Sequence, residues 1–118
     1  MIINAQIKSS FLGREDHGIL TFYLECDSDG LCRNVGGYFL EFKDKETGEP
    51  IYDPRMMGVI AKILDVVGVR SWEELKGKYI RLKVSGVCSP CYEIGHITKD
   101  KWLNFPEHFG EDDPGSMN

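Results

Sequence analysis

The stretch DPRMMGVIAKILDVVGVRSWEELKGKYIRLKV, residues 53–84, decides how the rest of the chain is read. Asp53 offers a carboxylate to the free amides of a helix start, and Pro54 suits the first helical position because its missing N–H has no partner there. Met56, Val59, Ile60, Ile63, Leu64 and Val67 then recur every three or four residues, which puts them on one face of a helix. Lys62 and Asp65 fall on the other face. Gly68 is placed to end the helix in a left-handed conformation. Ser71 and Glu74 have capping-box spacing and start a single turn through Trp72 and Leu75. Gly77 releases the chain into Tyr79–Val84, whose alternation is that of a strand with one buried face. The unit predicts a core of one helix against a sheet and carries no chemistry of its own.

Working toward the N-terminus, Ile2 to Lys8 reads as a first strand with Ile3, Ala5 and Ile7 on one side, ended by Phe11-Leu12-Gly13. Residues 14–18, Arg-Glu-Asp-His-Gly, have the composition of a hairpin connection. Ile19 to Cys26 is a second strand with Leu20, Phe22 and Leu24 on one face, and Asp27-Ser28-Asp29-Gly30 is a turn. Val35 to Phe42 is a third strand, interrupted at its start by Gly36-Gly37, and Lys43 to Pro50 is a solvated loop. Beyond the quoted stretch, Gly86 to Cys91 reads as a hairpin loop and Tyr92 to Ile97 as its return strand. Together these predict an α+β domain over residues 1–109, with about five mainly antiparallel strands and one principal helix packed on the sheet. Residues 110–118 are acidic and rich in Gly and Pro, the composition of a disordered tail.

The 118 residues suit one domain that buries a core without cross-links. A formal net charge of −5 argues against a general nucleic-acid binder. There is no secretory signal pattern and no apolar run long enough to cross a bilayer, so a cytoplasmic protein with reduced thiols is expected, with no membrane partner.

The cysteines come in two pairs, Cys26 with Cys32 and Cys88 with Cys91, separated by five and by two residues. Both pairs lie at predicted turns, so all four are candidate ligands of one zinc ion, with disulfides and free thiols as the alternatives. The first spacing is wider than zinc sites usually use. Residues 27–30 lack the third acidic position and closing glutamate of a calcium loop. Gly36-Gly37-Tyr38 matches no phosphate loop. The paired glycines mark either a strand bulge or backbone facing a ligand. None of His17, His96 and His108 accompanies a nucleophile motif, and a hydrogen-bonded sheet histidine is the plain reading of His96. No catalytic residue is assigned. Arg33, Tyr38, Arg81, Tyr92, Lys99 and Trp102 are types that stack on and neutralise a nucleotide, or form a hot spot for a protein. Trp102 has a structural alternative too, as a pin that holds the end of the chain to the sheet. The candidate ligand- or partner-binding set is Arg33, Gly36, Gly37, Tyr38, Tyr92, His96 and Trp102.

Several segments together resemble a family of small uncharacterised proteins of tailed phages and prophages. They are Phe11-Leu12-Gly13 with residues 15–18 (EDHG), Gly36-Gly37-Tyr38, residues 63–69 (ILDVVGV), residues 72–81 (WEELKGKYIR), Ile94-Gly95-His96-Ile97 and residues 99–102 (KDKW). The resemblance spans roughly residues 3 to 105. It implies a phage accessory protein acting in the host cell, where such proteins bind and block a host component or defence signal. The expectation is therefore a non-enzymatic binding protein whose partner is a host protein or a small nucleotide-like ligand. The alternative is an accessory of phage DNA metabolism that binds single-stranded nucleic acid or a replication partner. Open edge strands would also allow a homo-oligomer.

Overall fold

The alternation of residues 79–84 and the helical period of residues 56–67 meet in space as the sequence predicts. The computed structural model describes residues 1–15, 18–86 and 89–110. Its main sheet has six antiparallel strands: β1 (Ile2–Arg14), β2 (Leu20–Ser28), β3 (Leu31–Phe39), β6 (Tyr79–Lys83), β7 (Glu93–His96) and β8 (Trp102–Asn104). Their order is β3-β2-β1-β6-β7-β8. A separate hairpin pairs β4 (Glu41–Lys43) with β5 (Pro50–Tyr52). The principal helix is α1 (Met56–Val67), and a short α2 (Phe105–Phe109) closes the described chain.

The architecture is α+β with one main helix, and it corrects several expected boundaries. The six strands of the main sheet agree roughly with the five expected. β1 does not end at Phe11. It continues to Arg14 because a bulge at Lys8, between the Ile7–Cys26 and Ser9–Glu25 pairs, lets the strand bend and stay paired. The expected third strand from Val35 to Phe42 is two strands in different sheets, divided at Leu40. The expected loop from Lys43 to Pro50 is mostly the turn of the β4–β5 hairpin. The region after Lys99 supplies both β8 and α2. The predicted tail beyond Gly110 lies outside the described residues, as do Asp16, His17, Val87 and Cys88.

Local chemistry explains the boundaries. Asp29 and Gly30 have φ of 51° and 82°, the two positive values that a two-residue hairpin turn requires. Asp53 caps the approach to α1, as Oδ1 accepts from the Arg55 amide at 2.8 Å. The helix itself starts at Met56, later than the Pro54 start expected. Gly68 ends it with φ of 88°, its amide bonded to the Leu64 carbonyl. Ser71 Oγ donates to Glu74 at 3.0 Å across a 3-10 turn over Trp72–Glu74.

The inner sheet face carries Ala5, Ile7, Phe22, Leu24, Ile80, Leu82 and Ile94. It forms one core with Val59, Ile63, Val66 and Val67 of α1 and with Phe105 and Phe109 of α2. No helix among the described residues is long and apolar enough to cross a membrane.

Candidate partner-binding surface

Both helices join the core on the inner side of the sheet, which leaves the opposite side to solvent. Strand register determines what this open face displays. Asn4, Arg81, Gly95 and Trp102 form one cross-strand rung over β1, β6, β7 and β8, and Ile2, Lys83, Glu93 and Asn104 form the next. Gly95 has no side chain, and the indole of Trp102 occupies that space. A Cβ built at Gly95 would collide with the Trp102 ring. The Arg81 guanidinium carbon is 4.6 Å from the ring centroid and the Lys83 ammonium 4.5 Å. Arg81 also donates to the carbonyls of His96 (2.7 Å) and Lys99 (2.8 Å). The indole N–H donates to Asp100 at 2.9 Å. Cation–π contact, ring burial on a glycine and hydrogen bonds thus fix one tryptophan at the β8 end of this face. On the same face of β6, two residues before Arg81, Tyr79 is 58% exposed.

Trp102 also stands at the mouth of a cleft of about 420 Å³. The cleft runs along the outer edge of β8, walled by Lys62, Asp65 and Val66 of α1 and by Glu107 and His108 of α2. Asp65 pairs with Lys101 at 3.6 Å. His108 Nε2 lies 3.1 Å from the Arg55 carbonyl.

The other candidates from the sequence are distributed elsewhere. Arg33 ties β3 to the loop before β7, donating to the carbonyls of Ser89 (2.6 Å) and Gly86 (3.1 Å). Gly36 pairs with Tyr23, and β2 and β3 change register just after it, where Gly37 and Tyr38 stand opposite Phe22. A Cβ at Gly36 would meet the Phe22 ring at 2.8 Å, whereas one at Gly37 would meet nothing within 4 Å. Tyr38 is a core residue, 6% exposed, stacked with Phe22 and Phe109 and tilted against Phe105. Burial pushes its phenol well above the usual range. Tyr92 is exposed. His96 serves the turn after β7, its Nδ1 accepting from the amides of Thr98 (3.1 Å) and Lys99 (3.0 Å). Only Trp102 among the seven joins the surface just described.

The thiols differ sharply in setting. Cys26 faces Arg33 across the β2–β3 hairpin, and Cys32 faces Asp27 on the next rung. Adjacent rungs point to opposite faces, so Cys26 is fully buried on the inner side while Cys32 is exposed. Burial pushes the Cys26 thiol up to about 12 and raises that of Cys91 as well. Cys88 lies outside the described residues, among which no three side chains of metal-ligand type gather.

Sequence reasoning missed Tyr79, Lys83, Gly95 and the cleft walls. The one signal that pointed to them was the alternation of residues 79–84, which places Tyr79, Arg81 and Lys83 on a common face. Comparison with protein-family models, curated proteins and solved structures finds no match.

Proposed function

We propose that this chain is a non-enzymatic accessory protein, of the kind its phage resemblance implies, that binds a host component and blocks it. The observation that supports this reading is the Trp102 corner. A tryptophan held by Arg81, Lys83 and Gly95 shares its sheet face with exposed Tyr79, and it stands where that face meets a cleft. Tryptophan, tyrosine and arginine are the residues on which protein interfaces concentrate their energy, and rigid placement lowers the entropic cost of binding. The test is capture from host lysate with the full chain as bait, followed by native mass spectrometry. A partner is expected that is lost when Tyr79→Ala and Lys83→Glu are combined. Failure to retain any protein or small molecule overturns the reading.

A second reading, single-strand nucleic-acid binding, is favoured by charge distribution. Residues 76–101 hold six Lys and Arg against two acidic residues, while the rest of the chain holds eight against seventeen. Against it, Gly95 and the two cations already cover the Trp102 ring, which leaves that ring little free surface for a base. Titration with a labelled thymidine oligomer at increasing salt tests it, and salt-insensitive or absent binding removes it. Zinc binding is a further proposal, resting on the two-residue spacing of Cys88 and Cys91. Metal analysis giving well below one zinc per chain retires it.

A further inference from the structure

β8 ends the sheet, and the direction of its backbone groups follows from the bonds it makes to β7. The Lys101 carbonyl accepts from the His96 amide and the Phe105 amide donates to the Tyr92 carbonyl, each at 2.9 Å. In an antiparallel ladder the bonded residues alternate, so Leu103, paired with Ile94 between those two, also bonds inward to β7. Trp102 and Asn104 occupy the other positions. The N–H and C=O of Trp102 and the N–H of Asn104 therefore point off the sheet edge, into the cleft between α1 and α2. Edge strands are commonly blunted by lysine, proline or a bulge, and the Trp-Leu-Asn of β8 has none of these. The cleft walls add charge of both signs. Lys62 on α1 and Glu107 on α2 are exposed and make no ion pair among the described residues.

We propose that this cleft binds an extended peptide segment of the partner, added to β8 as a seventh strand. Backbone amides and carbonyls spaced along an edge are matched in register by another backbone, the mode of β-strand addition. Alternate side chains of such a segment point toward the helices. A carboxylate among them would meet Lys62, and a basic side chain would meet Glu107. The inference rests on the binding-protein reading and specifies what the partner contributes.

The test is selection of seven-residue peptides from a display library against the full chain. Selected peptides are expected to carry an acidic and a basic residue at alternate positions and to slow hydrogen exchange at the Trp102 and Asn104 amides. Among singly N-methylated versions of a selected peptide, the one that loses the donor to the Trp102 carbonyl should bind about tenfold more weakly, because the methyl removes that ladder bond. Lys62→Trp fills the cleft from an exposed helix position and should weaken binding comparably, with the thermal midpoint unchanged. The proposal is overturned if no peptide is selected. It is equally overturned if binding leaves those amides unprotected, survives Lys62→Trp, or if light scattering shows that a second copy of this chain occupies the edge. A lysate partner retained by Lys62→Trp but lost on combining Tyr79→Ala with Lys83→Glu would overturn this inference while leaving the binding-protein reading intact.

Discussion

Gly36 and Gly37 stand side by side in β3 with φ of 106° and 83°, yet their surroundings differ. A methyl at Gly36 meets both backbone strain and the Phe22 ring, while one at Gly37 meets strain alone. Gly36→Ala should therefore cost about 2–4 kcal/mol and Gly37→Ala about 1–2 kcal/mol in urea unfolding, with equal costs contradicting the packing account. Asp53 makes a second residue-level case. Its carboxylate is buried and accepts from the Arg55 amide, Nε and Nη2 at 2.8, 2.9 and 2.8 Å. The hydrogen bonds from Arg55 hold it below the usual carboxylate range. Because the folded-state value is depressed, this stabilisation is complete above the unfolded value of about 3.9 and is lost as pH falls through the lower folded one. The thermal midpoint should fall as pH drops below about 4. Asp53→Asn should lower the midpoint at pH 7 and flatten part of that acid decline, and an unchanged pH profile would count against the ion pair.

At the scale of elements, α2 is too short to be stable alone and depends on what its aromatics fill. Asn104 caps it, with Oδ1 accepting from the Glu107 amide at 2.9 Å. Phe105 and Phe109 are fully buried against Tyr38, and Phe105 also against Phe22. Removing one ring leaves a cavity where β3, β2 and α2 converge. Phe105→Ala should cost about 3–5 kcal/mol. Because β8 runs directly into α2, the same substitution should speed amide exchange in β8 before it does so in β1. Uniform acceleration across the sheet would show that the end of the chain is no separate unit.

For the whole molecule, the curved sheet sorts groups that lie close in sequence into different environments. Cys26 and Cys32 are near in sequence and opposite in setting. A thiol-specific reagent at pH 8 should label Cys32 in the folded protein at once and Cys26 only on unfolding. Rapid labelling of Cys26 in the native state would contradict its burial.

How much of this was legible in the amino-acid order follows from range. The turn at Asp29-Gly30, the helical period of residues 56–67, the stop at Gly68 and the alternation of residues 79–84 rest on neighbours within a few positions, and residues alone determine them. Where an extra residue shifts the phase, local pattern misleads. Alternation from Val35 would send Tyr38 outward, but the extra residue at Gly37 turns it into the core. β8 has three residues, too few to show a period, and it exists as a strand because β7 offers an edge. The place of Trp102 over Gly95, between Arg81 and Lys83, depends on the register of three strands. That register is decided by which side chains the core accepts and by where β7 and β8 come to lie, a choice made only when the chain has folded.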